Sequence, residues 1–239
     1  MNKMKYITLI IFLIVSSSCY NCSRNDNKQQ KPIAQKTEKQ ANENKDTSDE
    51  GLKSKSITIT ANPVITHVIE MKTSLGTIRL VLYGKDAPKT VNNFIKLAKK
   101  DYYNGVLFHR VVKDFIIQAG DGQTKYKSKR SEWGIGGESI YGKEFEDELD
   151  PETPSYKEGY KVGTLAMANK GPNTNSSQFF ICLEEAVDLE HNYTIFGRVT
   201  KGMDVVRKIA SVEVEPSNRG ADDGIPIKQI RINNITIKK

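Results

Sequence analysis

Phe108 to Asp121 reads FHRVVKDFIIQAGD, and the fold turns on it. Two short apolar runs flank a polar break at Lys113-Asp114, so the stretch predicts two strands joined by a tight turn. Strand interiors favour β-branched and aromatic residues, so an arginine between Phe108 and Val111 needs a reason. The period of two puts Ile116 and Gln118 on one face. Upstream, Thr77 to Tyr83 (TIRLVLY) alternates, with Ile78, Leu80 and Leu82 on a buried face. Val64 to Met71 is its expected hairpin partner, turned through residues 73–76. Asp86 is expected to cap a helix that runs through Pro88 to about Lys99, with Val91, Phe94, Ile95 and Ala98 at helical spacing. Downstream strands are predicted at 107–112, 115–118, 163–167, 178–183 and 194–200. A second helix fits Met203 to Ala210, and isoleucines at 230, 232, 235 and 237 mark a last strand. Many short strands with two helices predict an antiparallel barrel whose ends the helices close. Composition alone does not exclude a sandwich.

The 239-residue chain is long enough for one domain plus extensions. Lys3 and Lys5 precede an apolar run from Ile7 to Val15, then Ser16-Ser17-Ser18 and Cys19. A basic start, a short apolar stretch and small residues predict a secretory signal peptide over 1–18, too short for a comfortable membrane span. Small residues directly before Cys19 also resemble a bacterial lipoprotein signal, with lipid on that cysteine; the alternative is an ordinary signal peptide with a chance cysteine. Residues 19–56 are almost all polar or charged and cannot bury enough apolar surface to offset ordering, so they predict a disordered tether. The domain proper is expected over 64–239, exported to the cell envelope and facing the periplasm. The net charge of +7 and pI of about 9.1 come from scattered lysines and arginines. The densest group, Lys125 to Arg130, reads as one solvated loop, so nucleic acid is not the expected partner. Three cysteines give no disulfide framework, and Cys182 reads as a small apolar filler. Distant His67, His109 and His191 predict no metal site, and no cofactor is expected.

About 60 residues beyond Arg110, MANKGPNTNSSQFF (167–180) gathers amides and aromatics again, and GGESIYGKEFEDE spans 136–148. With FHR at 108–110, Phe115 and Gln118, these motifs make the chain from about 64 to 239 resemble the cyclophilins. The resemblance implies a closed eight-stranded antiparallel barrel capped by two α-helices. It also implies an enzyme that accelerates cis–trans rotation about X–Pro bonds in proline-containing polypeptides, working as a monomer. That rotation is slow because the amide nitrogen shares its lone pair with the carbonyl, a barrier of about 20 kcal/mol. A catalyst needs an apolar pocket for the proline ring and a donor at the prolyl nitrogen, so that the twisted state is bound best. Arg110 is the candidate catalytic donor, being always charged and rich in N–H groups. Phe115, Ile116, Phe180, Leu189 and Tyr193 are the candidate pocket. Gln118, Asn169, Gln178 and the backbone at Ala168 are the candidate partners of the substrate chain. Tyr193, where animal cytosolic members carry histidine, looks like bacterial relatives. Asp188 stands in place of a tryptophan that helps bind cyclosporin, which implies weak inhibition.

Other readings of the same residues stay open. Arg110 alone would serve as well in an ion pair with Glu144 or Asp147. His109 reads as structural, since this chemistry transfers no proton. The same groove would also suit a non-catalytic holdase. Trp133 would either touch substrates or cover the barrel edge.

Overall fold

The computed structural model describes residues 61–218 and 220–238. The expected signal peptide, the tether and Cys19 lie outside the described residues. Among the described residues no helix is long and apolar enough to cross a membrane.

The first hairpin forms where the alternation places it. β1 (His67–Thr73) and β2 (Gly76–Leu82) pair antiparallel with Thr73 opposite Gly76, so Ser74 and Leu75 make the turn. α1 (Pro88–Lys99) follows, burying Val91, Phe94, Ile95 and Ala98. β3 (Arg110–Val112) and β4 (Ile116–Ala119) form the hairpin around Lys113-Asp114, with Asp114 in the left-handed region. Two 3₁₀ turns, Gly122–Lys125 and Lys127–Glu132, occupy the expected basic loop. Next come α2 (Pro154–Glu158), β5 (Thr164–Met167), β6 (Phe179–Cys182), β7 (Ile195–Lys201) and α3 (Met203–Ala210). β8 (Val214–Ser217), β9 (Gly220–Pro226) and β10 (Ile232–Lys238) complete the sheet.

The expected architecture needs three corrections. Among the described residues there are ten strands and three α-helices, not eight and two. β8 and β9 escape notice because VEPS and GADDGIP are rich in residues that usually mark loops. Gly224 shows why they pair nonetheless: a Cβ there would lie 1.8 Å from the Glu215 carbonyl oxygen. Nor do the named strands close into a barrel. Their order is β10-β1-β2-β7-β5-β6-β4-β3-β9-β8, with β10 and β8 at the ends. β9 occupies the outer edge of β3, so β10 meets only the lead-in to β3. There Gly105, Phe108 and Ile232 donate to the carbonyls of Ile232, Ile230 and Val106.

Asp86 does not cap α1. Its carboxylate accepts from the Ser155 amide (2.9 Å), at the start of α2. The first amides of α1, Lys89 and Thr90, donate instead to the two carboxylate oxygens of Glu148 (2.9 and 2.8 Å). Each helix therefore takes its cap from the segment that precedes the other.

β5 and β6 are buried on both faces. Phe179 and Ile181 point into the main core with Phe94, Phe108 and Phe196. Phe180, Cys182 and Ala166 point the other way, into a smaller cluster with Ile116, Tyr83 and Tyr160. Cys182 is free and fully buried, and burial pushes its thiol up to about 12. The candidate site lies over this second cluster.

Candidate active site

Register makes the site. Across β3, β4, β6 and β5 the paired residues are Arg110, Gln118, Phe180 and Ala166, so their side chains share one face. Over this row lies a cavity of about 250 Å³. Phe115 and Ile116 reach it from the β3–β4 hairpin. Ala168 and Asn169 come from the end of β5, and Leu189 and Tyr193 from the loop after β6. Tyr193 stands edge-on to Phe180, with ring centroids 5.6 Å apart. The buried Tyr160 hydroxyl fixes it, donating to the Tyr193 carbonyl (2.8 Å) and accepting from the Tyr193 amide (3.0 Å). Asp188 is exposed beside this wall.

Arg110 sits at the lip and does have an acidic partner, but it is Asp223 of β9. Nε and Nη2 donate to the two carboxylate oxygens at 2.8 and 2.7 Å. Glu144 and Asp147 are engaged elsewhere, with Lys170 and with Asn175. The Arg110 side chain is 28% exposed and that of Asp223 9%, so the fork is largely out of water and geometrically fixed. Nη1 donates more weakly to Gln118 Oε1 (3.3 Å). Three of the five N–H groups are thus used, and two remain unengaged among the described residues.

The cavity brings together all the predicted contact residues except Gln178. Gln178 stands behind the wall. Its Oε1 accepts from Gln118 Nε2 (2.9 Å), and its Nε2 donates to the carbonyls of Gly134 (3.0 Å) and Gly136 (2.5 Å). Strand parity gives it the right face, but the 134–136 loop folds over it. Gln178 therefore braces Gln118, and it lines a smaller depression beside the cavity together with Gln118, Ala168 and Asn169. The Asn169 side chain is likewise occupied, donating to the Asn192 carbonyl (2.8 Å). Asp223 and Tyr160 were missed. No spacing links either to Arg110 or Tyr193, although a half-buried arginine signals that a carboxylate must lie near.

His109, next to Arg110, is buried, and neither ring nitrogen makes a hydrogen bond. Burial pushes its pKa from 6.5 to about 4, opposed by the Asp121 carboxylate. The Leu107 backbone and the Gln178 amide also oppose it, without reaching hydrogen-bonding geometry. The unfolded chain binds this proton below about 6.5 and the folded chain does not until about 4. The stability tied to neutral His109 is therefore whole above pH 6.5 and is lost as pH falls through that window, to about 3 kcal/mol. Urea unfolding at pH 7 and pH 4 checks this: the wild type should lose about 3 kcal/mol more than His109→Gln. Equal losses would mean His109 is protonated normally in the fold.

Residues 68–237 match the family model for cyclophilin-type peptidyl-prolyl cis–trans isomerases. The chain belongs to that family. Among its relatives, this cyclophilin is 47% identical over 155 residues to mouse peptidyl-prolyl cis-trans isomerase-like 1, covering 65% of this chain and 86% of the relative. It is 43% identical over 164 residues to the Arabidopsis thaliana isomerase CYP18-2, covering 69% and 89%. A crystal structure of a Cryptosporidium parvum cyclophilin-type isomerase superposes with a TM-score of 0.61 at 35% identity, covering 72% of this chain and 98% of that one. A second structure of that isomerase, obtained in the presence of the dipeptide Ala-Pro, gives 0.60 at the same identity. The cyclophilin fold is thus mainly antiparallel β with few helices.

Proposed function

We propose that the cavity over Phe180 receives the proline ring of a polypeptide, and that Arg110 donates to the prolyl nitrogen as the bond twists. One observation carries this: a guanidinium clamped on two sides at the lip of an apolar cavity, with two donors left over. Donation to the nitrogen localises its lone pair and weakens the partial double bond, and it is strongest in the twisted state. Phe115, Ile116, Leu189 and Tyr193 supply the apolar walls. Gln118 and the backbone at Ala168 and Asn169 hold the flanking chain while one side turns. The presence of Ala-Pro with the Cryptosporidium isomerase is in keeping with a proline-containing ligand. No group in this scheme transfers a proton, which suits a histidine kept neutral and buried beside the arginine.

The test is exchange NMR on a short X–Pro peptide with the full-length protein. Cis–trans exchange should accelerate in proportion to protein concentration, and the same peptide with alanine for proline should not compete. Exchange at the uncatalysed rate, or equal competition by the proline-free peptide, would overturn the reading.

We further propose that the substrates are exported proteins and that a lipid on Cys19 tethers the monomeric domain to the cell envelope, with 19–56 as spacer. The basic start, the short apolar run and the small residues before Cys19 support this. Cys19→Ala should move the protein from the membrane fraction to the soluble fraction; a variant that stays with the membrane removes the lipid from the account.

A further inference from the structure

A second groove shares Arg110 and Gln118 with the cavity but none of its apolar residues. Its volume is about 370 Å³. One wall is the segment that carries Trp133 and Ile135. The other is the β8–β9 hairpin, through Pro216 and Ile225. Arg130 ties the two walls together, bonding Glu215 of β8 at 2.6 Å while its guanidinium lies 4.9 Å over the Trp133 ring. The indole N–H donates to the Tyr126 carbonyl (3.3 Å), so Trp133 is locked in place with 9% of its surface exposed.

Ile135 is the opposite case, a large apolar residue left 61% exposed. It is nevertheless held on a fixed backbone: the amides on either side of it, Gly134 and Gly136, donate to one oxygen of the buried Asp121 carboxylate (2.7 and 3.2 Å). An apolar side chain presented on a rigid loop, facing a hairpin that Arg130 ties to the same segment, is a preorganised wall. The charges at the groove are already answered, Arg110 by Asp223 and Glu215 by Arg130. His109 lines the groove as a neutral ring, because burial keeps it unprotonated at ordinary pH. Among the described residues a charged ligand group would find no unpaired counter-charge at the groove, whereas an apolar one would bury surface against Trp133, Ile135, Pro216 and Ile225.

We propose that this groove is a specificity subsite that takes a bulky apolar side chain of the same polypeptide whose proline fills the cavity. The proposal rests on the reading of that cavity as the proline site. The two depressions share Arg110 and Gln118 as a wall, and an extended chain advances about 3.3–3.6 Å per residue, so the residue concerned lies within a few positions of the proline. It lies on one side of the proline only, because the other side of the chain runs past Ala168 and Asn169. The substrates selected are then proline segments with a leucine-like residue at one fixed offset, not X–Pro bonds at large.

The experiment is a leucine scan of alanine-based X–Pro peptides over three positions either side of the proline, read by exchange NMR with the full-length protein. Binding is followed in parallel by the fluorescence of Trp133, the chain's single tryptophan. Leucine at one position should raise kcat/KM over alanine by roughly tenfold and shift the Trp133 emission. In Ile135→Ser, a change at an exposed position, the leucine-to-alanine ratio should fall to near one. A flat scan, or a ratio that survives Ile135→Ser, overturns the subsite. If no peptide is isomerised yet leucine peptides still shift Trp133 in the wild type and not in Ile135→Ser, the groove stands and the catalytic reading of the cavity fails.

Discussion

Alanine at Arg110 is expected to lower kcat/KM for an X–Pro peptide by roughly 10²- to 10³-fold, the usual loss when one preorganised donor is taken from a transition state. The reason lies in how the donor is held. Asp223 grips Nε and Nη2 and Gln118 takes Nη1, so the guanidinium plane is set before any substrate arrives. Lysine should be nearly as poor as alanine, because one ammonium cannot satisfy both oxygens of Asp223 and Gln118 and still point into the cavity. Asp223→Asn is the finer probe. It keeps the shape and one acceptor oxygen but removes the charge and the matched fork. A guanidinium freed to swing should cost roughly tenfold in kcat, since small misplacements at a reacting centre are expensive. KM should change little, because the apolar walls that hold the proline are untouched. Steady-state kinetics on the three variants, with their melting temperatures, separates these outcomes. A normal kcat in Asp223→Asn would show that the carboxylate does not position Arg110.

Alanine at Gly120 is expected to be strongly destabilising, on two separate grounds. Gly120 follows β4 at φ +104°, where an alanine is strained by about 1–2 kcal/mol. A Cβ there would also lie 2.3 Å from the Ser177 carbonyl oxygen and 2.7 Å from the Gln178 Cα, both backbone and so unable to step aside. Overpacking of this kind adds about 1–3 kcal/mol. Thermal unfolding should show a fall on the order of 10 °C for a domain of this size. The strands forced apart are β4 and β6, which carry Gln118 and the lead-in from Gln178, so residual activity should fall as well. A melting point within a degree or two of the wild type would mean that β6 can shift without cost.

Much of this was legible in FHRVVKDFIIQAGD and its partner segment, for a definite reason. Side chains alternate along a strand, so once the hairpin is placed Ile116 and Gln118 must share a face, as must Phe180 and Cys182. The residues around the cavity follow from that parity and from the family motifs. What parity cannot give is whatever comes from a distant, irregular segment. Asp223 lies 113 residues from Arg110, on a strand whose two glycines, two aspartates and one proline read as loop. Gln178 has the predicted face, yet the 134–136 loop, drawn in by Asp121, takes its amide away from the cavity. How the sheet's ends meet is equally beyond local pattern: the β8–β9 hairpin takes the edge of β3, and β10 reaches only the lead-in to β3. Asp86 obeyed local capping preference in its residue type but serves the other helix, a choice that local sequence does not contain.

That exchange of caps between α1 and α2 bears on how the chain emerges from the ribosome. The carboxylate that completes α1 lies 59 residues downstream of the amide it receives. A nascent chain that has already exposed the whole of α1 still lacks Glu148, and α2 must wait for Ser155 to reach back 69 residues to Asp86. Both helix starts are thus completed only once the 148–155 stretch is available. Arrested nascent chains ending before residue 148 should show α1 open to proteases, and chains extended well past 155 should show both helices protected at once.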